Sequence, residues 1–149
     1  MRLALFEPDI PQNAGALIRL GACLGVSIDI IEPCGFLFDH AKLRRAGMDY
    51  LDFADVVRHG SWGDFVGATS GRIILLTTKT TESYIDYRFA SSDVLLLGRE
   101  SAGVPESVHQ SATARLRIPM RPGLRSLNVA LAGAMVLGEA LRQTKGFPA

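Results

Sequence analysis

The chain has few cysteines and lacks the cysteine spacings that hold a metal. Its 149 residues include two cysteines, Cys23 and Cys34, with no CxxC pair and no pair of histidines close by. Such spacing argues against a zinc site and indicates free thiols in a reducing compartment. We therefore expect a protein that functions without a bound metal.

Long apolar runs are missing as well. The apolar run at the N-terminus, Leu3 to Phe6, ends at Glu7-Pro8 and is too short for a signal peptide. None of the other runs approaches the roughly 20 residues that a membrane-spanning helix needs. These absences predict a cytoplasmic protein that has no membrane partner.

An excess of one charge is also lacking, since 16 basic residues face 15 acidic ones. Binding to a polyanion would therefore depend on local clusters. The candidates for RNA contact are Lys42, Arg44 and Arg45 in one cluster, and Arg121 and Arg125 in the other. An ordinary solvated face is the alternative interpretation of the first cluster.

A hydrophobic content of 48% and the length fit one domain, residues 1–149, with its own core.

Three widespread catalytic and nucleotide-binding motifs do not occur. No GxGxxG follows the first apolar run, no GxxxxGK[ST] occurs anywhere, and no GxSxG elbow follows a strand pattern. The histidines, His40, His59 and His109, lie away in sequence from the glycine-rich loops. A standard NAD-binding fold, a P-loop NTPase and a Ser-His-Asp hydrolase are thus poorly supported.

Alternating strand and helix patterns are what the sequence does contain. Strands are predicted over residues 3–6, 27–31, 53–57, 72–77, 93–97 and 114–118. Helices are predicted after Pro11 up to Gly25, from Asp39 to Gly47, after Ser61, from Pro105 to Gln110, and from Ser126 to about Lys145. Apolar strands that alternate with helices predict an α/β fold with a mostly parallel sheet covered by helices on both faces.

The most informative loops lie in the C-terminal half. They cover residues 77–81, 98–105 and 118–126, and each follows a predicted strand. Binding sites of parallel α/β sheets form outside the carboxyl ends of the strands, and Gly98 and Gly103 let the backbone approach a ligand closely. From the residues alone, we expect a nucleotide-like ligand at these loops.

Three segments resemble, in order and spacing, the motifs of the SPOUT RNA methyltransferases. They are Asn13-Ala14-Gly15 with Arg19, Gly98-Arg99-Glu100 with Gly103-Val104-Pro105, and Ile118-Pro119-Met120 with Arg125-Ser126-Leu127-Asn128. The opening Glu7-Pro8 and the internal run from Arg44 to Tyr50 are most similar to the TrmL-type subgroup, which methylates the ribose 2′-hydroxyl of the tRNA wobble nucleotide. The resemblance covers nearly the whole chain.

The resemblance implies a C-terminal trefoil knot, a homodimer and S-adenosyl-L-methionine (AdoMet) as the cofactor. The residues that it assigns to the cofactor are Leu76, Thr77, Thr78, Gly98, Glu100, Gly103, Ile118, Met120, Ser126 and Leu127. It also implies that the substrate is the ribose of nucleotide 34 in the anticodon loop of tRNA. Structural roles are the alternatives for two of these side chains, as a loop cap for Glu100 and as a helix N-cap for Ser126.

The catalytic candidates by the same resemblance are Arg19 and Asn128. Because a guanidinium stays protonated in proteins, arginine is a poor base, so we expect Arg19 to hold a phosphate or polarise the hydroxyl, at the cofactor of the other subunit. A surface or interface role is the alternative for Arg19. Asn13 is either part of the site or a turn residue.

Three other functions remain open at the level of the sequence. The first is ribose methylation at another tRNA or rRNA position. A non-catalytic dimer that binds AdoMet or RNA is the second, although Arg19 and Asn128 are both present. The third is an unrelated nucleotide-binding α/β protein, which would not bind AdoMet.

Overall fold

Strands and helices alternate along the chain in the computed structural model, which describes residues 1–45 and 49–149. The strands are β1 (Arg2–Phe6), β2 (Ser27–Ile31), β3 (Val56–His59), β4 (Ile73–Leu76), β5 (Val94–Leu97) and β6 (Ala114–Leu116). The helices are α1 (Pro11–Leu24), α2 (His40–Arg45), α3 (Trp62–Ala68), α4 (Glu106–Ser111) and α5 (Val129–Thr144). Single 3₁₀ turns occupy Asp49–Asp52 and Tyr84–Asp86. The predicted end of α2 at Gly47 lies outside the described residues.

The six strands form one parallel sheet in the order β3-β2-β1-β5-β4-β6. The chain builds β2 and β3 on one side of β1, and then places β4, β5 and β6 on the other side. The strand order therefore reverses between β1 and β5, which is where a parallel α/β sheet opens a crevice at its carboxyl edge. The predicted α/β class with a parallel sheet is confirmed.

Apolar side chains cover both faces of the sheet. In β1, Leu3 and Leu5 belong to the core cluster that contains Leu17 of α1 and Leu137 of α5. The alternate residues of β1 point to the opposite face, whose cluster includes residues of α3 and α4. Successive side chains of a strand face opposite sides, so this double burial explains why the strands are apolar throughout.

Helix α5 lies unusually close to the sheet and to α1. A Cβ atom added at Gly133 would lie 2.9 Å from Leu17 Cδ2 and 2.9 Å from Leu97 Cδ1. Near the other end of α5, Gln143 accepts a hydrogen bond from the Phe89 N–H and donates one to the Tyr87 carbonyl, both at 3.0 Å. The small residue and the amide clamp together fix the position of this helix. Its threading through a trefoil knot stays a prediction.

The third strand starts later than the sequence pattern predicts. A strand is expected over 53–57, whereas β3 is Val56–His59. The N–H groups of Phe53 and Ala54 donate to the Tyr50 carbonyl and so close a turn, which leaves Phe53 80% exposed. In the sequence, the apolar Phe53 of this turn therefore looks like the first residue of a strand.

Two predicted boundaries around the last loop also shift. Helix α5 begins at Val129 rather than at Ser126, because the side chain of Asn128 accepts hydrogen bonds from the N–H groups of Ala130 and Leu131. Strand β6 ends at Leu116 because Arg117 exchanges backbone hydrogen bonds with Glu82 and Tyr84 instead. The loop between β6 and α5 is therefore longer than expected and leaves Ser126 outside the helix.

Candidate functional site

A cavity of about 690 Å³ lies at the carboxyl ends of β4, β5 and β6. The last residues of these strands, Leu76, Leu97 and Leu116, form part of its wall, together with Ile10 and Asn13 at the start of α1. All ten predicted cofactor residues line it, namely Leu76, Thr77, Thr78, Gly98, Glu100, Gly103, Ile118, Met120, Ser126 and Leu127. The sequence therefore predicted the location of the cavity.

A reciprocal pair of hydrogen bonds joins the loop after β1 to the loop after β5. The Asp9 N–H donates to Glu100 Oε2 at 2.9 Å, and the Glu100 N–H donates to Asp9 Oδ1 at 3.1 Å. The Ser101 hydroxyl also donates to Asp9, and Arg99 lies between Glu7 and Asp9 at 3.4 and 3.5 Å. Because both acids serve this clamp, we assign Glu100 to the support of the cavity wall.

The two clamped acids differ in pKa. Hydrogen bonds from Glu100 and Ser101 lower the pKa of Asp9 to about 2, and the nearby Arg99 cation acts in the same direction. Burial and the hydrogen bond to Asp9 raise the pKa of Glu100. The negative charge of the pair is therefore concentrated on Asp9, which faces Ser101 and Arg99.

Asn13 connects the three segments that the sequence singled out. Its Nδ2 donates to Glu100 Oε1 at 3.4 Å, and its Oδ1 accepts a hydrogen bond from Asn128 Nδ2 at 3.0 Å. Asn13 lies inside the first turn of α1, with Ile10 as the N-cap, so it is not the capping residue. One side chain thus ties the starts of α1 and α5 to the loop after β5.

Asn128 uses most of its hydrogen-bonding capacity for structure. Its Oδ1 accepts from Ala130 and Leu131 at the start of α5, and one Nδ2 proton goes to Asn13. One amide proton is left over, and Asn128 lines the cavity. The side chain can therefore donate to a ligand while it caps the helix, but it is not arranged to accept a proton.

The loop after β5 folds back on itself through two glycines. A Cβ atom added at Gly98 would lie 2.8 Å from Cα of Gly103. Gly103 has a φ of +66°, and its N–H and carbonyl both pair with Arg99, at 2.8 and 3.0 Å. Glycine is required here by the close approach and by the left-handed backbone.

Arg19, the predicted catalytic residue, does not line this cavity. Its side chain is exposed on α1, and its Cζ lies 4.6 Å from the centre of the Tyr50 ring. Tyr50 belongs to the 3₁₀ turn that packs beside α1. The chain therefore directs the Arg19 guanidinium onto an aromatic ring, outside its own cavity.

The arginines proposed for RNA contact have different surroundings. Arg125 lines the cavity, whereas Arg121 is exposed without lining it. Arg44 is paired with Asp52, and Arg45 is exposed. The side chain of Lys42 lies outside the described residues. Arg99 also lines the cavity, but its guanidinium is held by Glu7 and Asp9.

Histidine 109 is a cavity residue that the sequence did not reveal. It lies on α4, four residues after the predicted loop 98–105, and lines the cavity. Within the described part of the chain, its two ring nitrogens are buried and have no hydrogen-bond partner. Helix α4 follows this loop directly and connects β5 to β6, but the sequence pattern does not show which of its side chains faces the cavity.

The cavity suits a small organic ligand that has both apolar and polar parts. Its volume lies within the range of roughly 300 to 1,000 Å³ that is common for such sites. The close-packed glycines offer backbone groups, and His109 offers buried nitrogens that need a partner. These features fit a nucleoside such as AdoMet.

Among the described residues, no cluster of His, Cys, Asp or Glu could hold a metal ion. None of the helices in residues 1–45 and 49–149 is long and apolar enough to cross a membrane.

Comparison with known proteins matches this chain to one family. Residues 1–138 match the model of the SpoU rRNA Methylase family. A tRNA (cytidine(34)-2′-O)-methyltransferase of Ancylobacter novellus is 58% identical, with 99% of this chain and 95% of the relative aligned. The protein of the same name from Escherichia coli K12 is 41% identical, with 99% and 96% aligned.

Solved structures agree with these relatives. A structure described as giving insights into the 2-OH methylation of C/U34 on tRNA has a TM-score of 0.89 and 40% identity, covering 95% of this chain and 94% of that one. The SpoU methyltransferase AviRb from Streptomyces viridochromogenes, in complex with AdoMet, has a TM-score of 0.82 and 26% identity. That match covers 96% of this chain and 60% of AviRb.

Proposed function

Because the chain belongs to the SpoU rRNA methylase family, we propose that it transfers a methyl group from AdoMet to the ribose 2′-hydroxyl of nucleotide 34 in tRNA. The relatives that are 58% and 41% identical carry this activity in their names. The observation that carries the proposal is the cavity at which Asn13, Glu100 and Asn128 meet.

When bound, AdoMet supplies the methyl group of a sulfonium, and the sulfur is left as a neutral thioether after the transfer. The protein then has to hold the cofactor and align the hydroxyl, since proximity and orientation account for much of such a rate enhancement. The ten cofactor residues named above form the cavity that would hold AdoMet. The Asp9–Glu100 clamp and Asn13 keep its walls together, and Asn128 has a free amide proton to offer.

Arg19 acts on the RNA rather than on the cofactor in this proposal. Its exposed cation is suited to binding a phosphate or polarising the hydroxyl, whereas a guanidinium stays protonated in proteins and is unsuited to the role of the base. Because Arg19 does not line the cavity of its own chain, it is available to the active site of a second subunit.

The surface of α5 supports a homodimer. Leu127, Leu131 and Met135 follow one another at intervals of four residues and are 40%, 61% and 45% exposed. Side chains four residues apart lie on one side of a helix, so Leu131 and Met135 form an apolar stripe on one face of α5. Leu127 precedes the N-cap Asn128 and lies at the cavity. We assign a second copy of the chain to this stripe, since two-fold homodimers bury the same patch on both subunits.

Substrate RNA would approach the open side of the cavity. Arg125 lies at the cavity and Arg121 lies nearby in sequence, so both are placed to contact phosphates. The cluster of Lys42, Arg44 and Arg45 would bind a more distant part of the anticodon stem and loop. Unpaired loop nucleotides are accessible to such enzymes because their riboses are not constrained in a helix.

Methyl transfer can be tested with purified protein, labelled AdoMet and total tRNA from a strain that lacks this protein. Nucleoside mapping should locate the methyl group on the ribose of nucleotide 34. Absence of incorporation would contradict the enzymatic function and favour a non-catalytic binding protein. Incorporation at another tRNA or rRNA position would support ribose methylation but contradict nucleotide 34 as the substrate.

Arg19→Ala should abolish turnover and leave the AdoMet dissociation constant within a few-fold of the original. A large loss of AdoMet affinity would contradict a role on the RNA side. Mixing Arg19→Ala subunits with Asn128→Ala subunits should restore part of the activity if Arg19 acts across the dimer. An inactive mixture that nevertheless contains heterodimers would refute the cross-subunit role.

The dimer surface is tested by Leu131→Glu, which places a charge in the apolar stripe. Sedimentation should show monomers for this variant and dimers for the original protein. Ile85→Glu is the control, because Ile85 is equally exposed, at 60%, but belongs to the 3₁₀ turn after β4. A Leu131→Glu protein that remains dimeric would place the interface elsewhere.

A further inference from the structure

We propose that His109 binds the adenosine part of AdoMet through a ring nitrogen. This inference rests on the proposed function, because it takes AdoMet as the occupant of the cavity. The observation behind it is that both ring nitrogens of His109 are buried without a partner among the described residues, in a side chain that lines the cavity. Buried polar groups without a partner are rare and point to a missing ligand or water.

A turn of the imidazole ring would be needed to bring a nitrogen to the cavity, because both nitrogens are buried as the ring stands. The residue His109 is only partly buried, but both of its ring nitrogens are buried, so its exposed surface belongs to other atoms. A half turn of the ring about the Cβ–Cγ bond exchanges each nitrogen with a carbon in the same plane. No hydrogen bond of the ring is broken by this turn, because none is formed in the described structure.

The surroundings of His109 indicate which part of the cofactor it meets. The adjacent Val108 belongs to the buried cluster that contains Leu75, and Leu75 also lines the cavity. An apolar wall suits the flat purine ring, whereas the charged methionine end of AdoMet requires groups such as Arg125. Adenosine offers hydrogen-bond donors and acceptors on its base and ribose, which can pair with the ring nitrogens of an imidazole.

Helix α4 is held firmly enough for His109 to contribute to affinity. The Arg115 guanidinium donates to the carbonyls of His109, Gln110 and Ala112 at 2.7, 2.8 and 3.2 Å. These bonds satisfy the C-terminal carbonyls of the short helix and fix the backbone of His109. A fixed backbone limits the entropy that ligand binding costs at this position.

The test measures AdoMet affinity by calorimetry for the original protein, His109→Leu and His109→Gln. We expect His109→Leu to weaken binding about 3- to 10-fold, as for the loss of one hydrogen bond, and His109→Gln to retain more of the affinity. The ligand-free His109→Leu protein should unfold at the same temperature or higher, because an unpaired buried polar group has been removed. His40→Leu is the control, since His40 is an exposed histidine on α2.

The adenosine assignment is tested with 5′-methylthioadenosine, which lacks the amino acid part of AdoMet. In His109→Leu, the affinity for 5′-methylthioadenosine should fall by the same factor as the affinity for AdoMet. A loss for AdoMet alone would overturn the adenosine assignment, and an unchanged AdoMet affinity would overturn the role of His109. If the original protein did not bind AdoMet, the proposed function itself would fail.

Discussion

The guanidinium of Arg19 stacks on Tyr50, with 4.6 Å between Cζ and the centre of the ring. These residues come from two parts of the chain that the sequence resemblance treats separately, the segment around Asn13 and the run from Arg44 to Tyr50. Because the ring contacts the cation from one side, Tyr50 is suited to restricting the orientation of Arg19, the residue proposed to act on the RNA.

Tyr50→Ala should therefore lower the turnover number about 2- to 5-fold, as expected for an exposed cation–π contact, without weakening AdoMet binding. Tyr50→Phe keeps the aromatic face and should restore the rate. Phe147→Ala serves as the control for removal of an exposed aromatic side chain. If Tyr50→Phe were as slow as Tyr50→Ala, the hydroxyl rather than the ring face would matter.

The link between Asn13 and Asn128 should be measurable as a coupling free energy. The two side chains share a hydrogen bond at 3.0 Å, so the effects of Asn13→Ala and Asn128→Ala on unfolding should not add. We expect a coupling of about 1 kcal/mol from urea denaturation of the single and double variants. Ser61→Ala removes the N-cap of α3 and, combined with Asn13→Ala, is the additive control. Additivity in both pairs would argue against the link.

Gly98→Ala should open the loop after β5. The added methyl group would lie 2.8 Å from backbone atoms of Gly103, so the segments of the loop around Gly98 and Gly103 must move apart. We expect AdoMet affinity to fall at least about tenfold, which corresponds to about 1.4 kcal/mol. Gly67→Ala is the control, because Gly67 is exposed on α3 and a Cβ there meets nothing within 4 Å. Equal AdoMet affinities for both variants would show that the loop tolerates the methyl group.

The low pKa of Asp9 predicts how stability depends on pH. Hydrogen bonds from Glu100 and Ser101 lower this pKa from 3.8 to about 2, so the ionised carboxylate is more stable in the folded protein than in the unfolded chain. Its contribution is complete above about pH 4 and is lost as the pH falls towards 2. The original protein should thus exceed Asp9→Asn in unfolding free energy at neutral pH, with the difference shrinking below about pH 4.

Urea unfolding at several pH values between 2 and 7 measures this difference. Asp86→Asn removes the same charge from an exposed position in the 3₁₀ turn and is the matched control. A difference between the original protein and Asp9→Asn that stayed constant down to pH 2 would contradict the linkage.

Local patterns were sufficient for the fold class and for the cavity. Periodicity and turn residues depend on neighbours in sequence, so the apolar strands, the stop at Gly25 and the N-cap at Ser61 could all be predicted. The boundaries that shifted, at Phe53 and Ser126, are places where a side-chain or backbone hydrogen bond outweighs the apolar pattern.

The composition and motifs of the sequence determined by themselves that this is an α/β protein with its site at three C-terminal loops. Only the tertiary structure decided which side chains meet there. The strand order places β5 between β1 and β4, which brings Glu100 to Asn13 and positions His109 beside the cavity. It also directs Arg19 onto Tyr50 rather than into its own cavity. Contacts between residues so distant in sequence depend on how the whole sheet assembles, and no local pattern records that assembly.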